Sequence, residues 1–105
     1  MAGFVHEPGR LRIVGEVDLS NADALAQAAH VACGALRGGD ELVLDCSAWA
    51  YVDLTGLRAL SGATAAFRRA GGKIRLEDAS GAVLRVLEFW SGRRLDDRPD
   101  VWSSA

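Results

Sequence analysis

Hydrophobic positions along this chain switch repeatedly between strand-like and helix-like spacing, and the switches divide it into elements. Gly3 to Glu7 predicts a short first strand, and Pro8-Gly9 is a turn signal. Leu11 to Val17 alternates apolar and polar residues, as a half-buried strand does. The short connection predicts an antiparallel hairpin. Asp18-Leu19-Ser20-Asn21 then predicts the start of a helix, with Ser20 and Asp23 at capping-box spacing and Asp standing in for Glu. Leu25, Ala29, Ala32 and Leu36 fall on one face of that helix, and Gly38-Gly39-Asp40 ends it.

Glu41 to Cys46 holds a continuous apolar run, Leu42-Val43-Leu44, the pattern of a central strand covered by helices on both faces. From Thr55 to Ala70 the spacing is helical again, with Leu57, Leu60, Thr64 and Phe67 on one side and Ala70-Gly71-Gly72 as the stop. Lys73 to Asp78 predicts a strand with Ile74 and Leu76 facing inward. Ala79-Ser80-Gly81 leads into a third helix whose Val83, Val86, Leu87 and Trp90 share a face, while Phe89 points away. After Ser91-Gly92 the chain turns polar, and Arg93 to Ala105 is expected to be irregular.

These elements predict an α/β fold with a mixed β-sheet: an N-terminal antiparallel hairpin, then parallel βα units packed with helices. No repeat, low-complexity tract or long linker interrupts the pattern. The expectation is one domain over 1–105, with its core over about 4–95 and a polar tail over 96–105.

Composition then narrows the function classes. Half of the 105 residues are hydrophobic, which suits a packed core. The net charge is -2 with signs interspersed, which argues against nucleic acid as a partner, since that favours a basic stripe. Cys33 and Cys46 are far apart and form no CxxC spacing, so they read as buried thiols in a reducing compartment. His6 and His30 are isolated and suggest no metal. No apolar run reaches membrane-span length and no signal-peptide pattern opens the chain, so the expected location is cytoplasmic, with no membrane partner. There is no Gly-rich phosphate loop, no histidine beside a nucleophile, and Asp96-Asp97 reads as solvated charge. Neither an enzyme nor a cofactor is expected.

The stretch with most chemistry is Asp53-Leu54-Thr55-Gly56, at the start of the second helix. One reading is structural: Asp53 or Thr55 caps the helix and Gly56 relieves crowding. The other is functional. A helix N-terminus offers free N–H groups and a positive dipole end, so a phosphate on the Thr55 hydroxyl would be tolerated there. Asp53, two residues away, would be repelled by it. Asp18 follows the second strand as Asp53 follows the central one, so both loops belong to one sheet edge. Trp49 and Tyr51 flank the loop before Asp53 and read as packing residues. Phe89 reads either as part of a partner surface or as a single exposed aromatic.

With these residues in place, the chain resembles the STAS domain family, and within it the bacterial anti-sigma factor antagonists. Gly15-Glu16-Val17-Asp18, then Leu42-Val43-Leu44-Asp45, then Val52-Asp53-Leu54-Thr55-Gly56-Leu57 carry the resemblance, over roughly Phe4 to Leu95. It implies a monomeric partner-switching regulator of transcription, with no catalytic residues of its own. Its partner would be an anti-sigma factor serine/threonine kinase with an ATP-binding, histidine-kinase-like fold, bound by the unmodified chain. Phosphorylation would release that kinase, and a phosphatase would reset the switch. The resemblance places the phosphoacceptor at Thr55 and partner contacts at Asp18, Ser20, Asp53, Leu54, Thr55, Gly56 and Arg58. Where the family commonly has a pair of serines, this chain has Leu54-Thr55, and its tail leaves the usual last strand and terminal helix truncated. The alternatives are a STAS scaffold that is never phosphorylated, or a cytoplasmic subunit of a transport system. A small enzyme or nucleotide binder at the same edge would need a basic or Gly-rich cradle that is not seen.

Overall fold

The computed structural model describes residues 2–91, and the expectations for Arg93 to Ala105 and for the Trp90 side chain lie outside them. The elements run β1 (Ala2–Glu7), β2 (Arg10–Val17), α1 (Ala22–Gly34), β3 (Glu41–Val52), α2 (Leu54–Arg69), β4 (Lys73–Glu77) and α3 (Gly81–Ser91). The sheet order is β1-β2-β3-β4, antiparallel between β1 and β2 and parallel thereafter. The mixed sheet predicted from the spacing is the observed one. Pro8-Gly9 turns the hairpin, with Gly9 at φ +74°, a conformation costly for residues with a side chain.

One face of the sheet supplies Leu11, Ile13, Leu42, Leu44, Ile74 and Leu76 to a single apolar cluster. Leu25, Ala29 and Ala32 of α1, Leu57, Leu60 and Phe67 of α2, and Val83 and Leu87 of α3 complete it. Thr64 sits buried on the same α2 face, because its hydroxyl donates to the Leu60 carbonyl oxygen at 3.0 Å. Leu36 lies beyond the end of α1 and is half-buried, as is Val86 on α3. Both cysteines are free and buried; burial pushes the Cys46 thiol up to about 12.

The other face is polar, which corrects the expectation that helices cover β3 on both sides. Arg10 bridges Glu77 at 2.7 Å and Asp45 at 3.5 Å. Arg75 bridges Glu41 at 2.9 Å and Glu77 at 3.2 Å. Val43 stands in register between Arg10 and Arg75. The apolar run is therefore unbroken because arginine stems flank Val43 on this face, not because a second helical layer does.

β3 is also longer than predicted. Arg12 pairs with Asp45 but Val14 with Ala48, and Gly15 pairs with Trp49 but Glu16 with Tyr51. Each shift places an extra β3 residue opposite β2, a bulge, and the ladder continues to Val17 and Val52. At the first bulge the Ser47 hydroxyl and N–H both donate to Asp45, holding its carboxyl below the ordinary range. Trp49 and Tyr51 thus lie in the strand rather than in a loop. Trp49 is buried, with its indole N–H finding no acceptor among the described residues. Tyr51 is 48% exposed, so only Trp49 is a packing residue.

The two faces contribute unequally to stability. Leu44→Ala empties a closed core position and is expected to lower the unfolding free energy by about 2–5 kcal/mol. Arg75→Ala removes partly exposed ion pairs and is expected to cost below about 1 kcal/mol. Urea denaturation of the two variants checks the contrast; equal losses would contradict it.

Candidate functional site

The end of β3 delivers Asp53 directly to the start of α2. Asp53 is extended, at φ -100° and ψ 179°, and its Oδ1 accepts the Gly56 N–H at 2.9 Å. This N-cap satisfies one of the free donors of the first turn. Asp53 also donates its own N–H to the Val17 carbonyl oxygen at 3.2 Å, which ties the end of β3 to the end of β2. Gly56 is buried beneath the turn. A Cβ there would stand 2.7 Å from Val17 Cγ1 and 3.0 Å from Val52 Cγ2. Gly56 therefore shapes the site from below and offers no surface contact.

Leu54 and Thr55, the first two residues of α2, are both exposed, Leu54 by 40%. Thr55 stands in the first turn of α2, at the positive end of the helix dipole, two residues after the capping Asp53. Arg58 is exposed one turn further along α2.

The second loop of the edge follows β2. Asp18 Oδ1 accepts from the Ser20 N–H at 2.9 Å and from the Ser20 hydroxyl at 2.6 Å. These bonds hold the Asp18 carboxyl below its ordinary range. Asn21 accepts the Asp18 N–H and donates to the Glu16 carbonyl oxygen, both at 2.9 Å. The predicted capping box is absent. Asn21 occupies the N-cap position of α1 without a side-chain cap bond, since the nearby loop partners engage both Ser20 and Asn21. The structure thus brings Asp18, Ser20, Asp53, Leu54 and Thr55 to the ends of two adjacent parallel strands.

Sequence reasoning missed a neighbouring groove of about 350 Å³, lined by Tyr51, Val52, Asp53, Leu54, Arg85, Val86 and Phe89. The signal available for it was Phe89 lying off the core face of α3, with Arg85 one turn earlier. Among the described residues no His, Cys, Asp or Glu cluster could hold a metal ion, and no helix is long and apolar enough to cross a membrane.

Two substitutions probe this geometry. Gly56→Ala is expected to destabilise by about 1–3 kcal/mol through overpacking. The loss should shrink by at least about 0.5 kcal/mol in a Val17→Ala background, which removes the clashing methyl. Additive losses in a thermal or urea double-mutant cycle would contradict the contact. Because the Asp18 pKa is lowered by Ser20, the stability the turn adds is complete above the ordinary carboxylate pKa. It is lost as the pH falls through the lowered value. Ser20→Ala should raise the Asp18 pKa toward ordinary, as read by carboxyl NMR titration; an unmoved value would contradict it.

Comparison with known proteins places this edge in context. A family model described as "Mlab, STAS domain" matches residues 2–91. No curated protein sequence matches the chain. Among solved structures, the anti-sigma factor antagonist SpoIIAA in its unphosphorylated form has the same fold, with a TM-score of 0.60 and 16% identity. The alignment covers 85% of this chain and 83% of that one. With a family match across all the described residues, this chain belongs to the STAS domain family.

Proposed function

We propose that this chain is a non-enzymatic anti-sigma factor antagonist that regulates transcription by partner switching, with Thr55 as the phosphoacceptor. Its partner is an ATP-binding anti-sigma factor kinase of histidine-kinase-like fold, and a phosphatase resets the modified form. The observation that carries this reading is the exposed Thr55 in the first turn of α2, two residues after the capping Asp53. The fold shared with SpoIIAA, whose structure is that of an antagonist in its unphosphorylated form, supports it.

The physical logic is a change of charge without a change of fold. A phosphate adds about 1.5 to 2 negative charges and three acceptor oxygens at neutral pH. At the N-terminus of α2 the helix dipole favours that charge, so the helix persists. The surface formed by Asp18, Ser20, Asp53, Leu54, Thr55 and Arg58 nevertheless becomes far more acidic. A partner matched to the unmodified surface then meets repulsion and an unpaired phosphate.

The exposed Leu54 favours a second reading, a binding module that is never phosphorylated, because an apolar residue at the centre of the edge suits constitutive contact. Incubation with ATP and the cognate kinase separates the two. The proposal expects one phosphate per chain, mapped to Thr55 by mass spectrometry, and none on Thr55→Ala. It also expects Thr55→Glu to weaken kinase binding by about tenfold or more. Full labelling of Thr55→Ala, or unchanged affinity in Thr55→Glu, would overturn it.

A further inference from the structure

The groove beside Thr55 differs from the rest of the surface. Its floor is Val52, which is buried, and Val86, which is half-buried. Its rim carries three of the large apolar side chains that the structure leaves exposed: Tyr51 at 48%, Leu54 at 40% and Phe89 at 77%. Such residues scattered singly need no explanation, but gathered round one groove they mark an interaction surface. They come from three separate elements, β3, the start of α2, and α3, so no single amphipathic pattern accounts for the grouping.

The charges at the groove select its occupant. Of the two charged residues that line it among the described residues, Asp53 already accepts the Gly56 N–H at 2.9 Å. Arg85 is exposed, and no ion pair holds it among the described residues, whereas Arg10 and Arg75 on the sheet face are each shared between two carboxylates. The groove therefore offers apolar walls and one unused guanidinium. An aliphatic or aromatic side chain fits the walls, and a neighbouring carboxylate fits the arginine in fork geometry.

We propose that the groove between the end of β3, the α2 cap and α3 seats an apolar anchor of a partner protein, with an acidic residue next to that anchor held by Arg85. This rests on, and deepens, the reading of the α2 edge as a partner-binding surface. It adds α3 to that surface and states what the partner must bring. Leu54 belongs to both the groove rim and the α2 edge, so a phosphate on Thr55 arises next to the seat. An acidic residue bound there would be repelled by it, which couples the groove to the switch.

Site-specific photocrosslinking tests the inference. Phe89→benzoylphenylalanine, expressed in the protein's own cells and irradiated, should capture another protein. The crosslinked peptide should contain an apolar residue with Asp or Glu within three positions. With that protein purified, Phe89→Ser and Arg85→Glu should each weaken binding by about tenfold or more. Arg85→Lys, which keeps the charge but not the fork, should retain only part of it, and melting temperatures should be unchanged because both side chains are exposed. Crosslinking to a second copy of the chain or to the chain's own residues 92–105 would overturn the inference. So would the absence of a crosslink, or unaltered affinity in both variants. None of these readouts involves phosphate. An unlabelled Thr55 with an occupied groove defeats only the phosphoswitch, and a labelled Thr55 with an empty groove defeats only this inference.

Discussion

The first turn of α2 presses so closely on the ends of β2 and β3 that no side chain fits between them: a Cβ on Gly56 would stand 2.7 Å from Val17 Cγ1. The rest of the functional edge depends on this contact. With the helix held against the strand ends, Asp53 can cap it, and Leu54 and Thr55 have nowhere to project but outward. The bond from the Asp53 N–H to the Val17 carbonyl oxygen fixes the neighbouring loop in the same frame. A hydroxyl carried on so closely packed a platform could take up charge without disturbing what lies beneath it.

The architecture below the edge is asymmetric. One face of the sheet is closed by three helices over a continuous apolar cluster, and the other is a lattice of arginine–carboxylate pairs. Burial on the first face supplies most of the stability, since exposed ion pairs contribute little. The lattice matters for a different reason. It holds Arg10 and Arg75 between carboxylates of the neighbouring strands, so neither guanidinium is left for a partner. At the strand ends, by contrast, exposed apolar side chains and Arg85 are gathered round one groove.

Much of this was legible in the chain. Every element and the mixed sheet followed from the spacing of apolar residues, and the position of Thr55 at a helix start followed from Asp53 and Gly56. What was not legible depended on contacts distant in sequence. The two bulges that carry Trp49 and Tyr51 into β3 exist only because β2 runs alongside. The shielding of Val43 needs Arg10 and Arg75, which come from two other strands. Ser20 matched a capping box locally, but the Asp18 carboxylate, two residues away, takes its hydroxyl first. The groove was hidden for the same reason, as its walls come from β3, α2 and α3 together.

The central claim is that a phosphate at Thr55 alters the surface and leaves the fold alone. Protein carrying phosphothreonine at position 55, prepared by semisynthesis and compared with the unmodified chain by amide NMR, tests it directly. The account predicts shift changes confined to Asp18–Asn21, Asp53–Arg58 and the groove residues of α3, with Leu11, Leu44 and Ile74 unmoved. Changes spread through the sheet, or loss of helical signals in the first turn of α2, would contradict it.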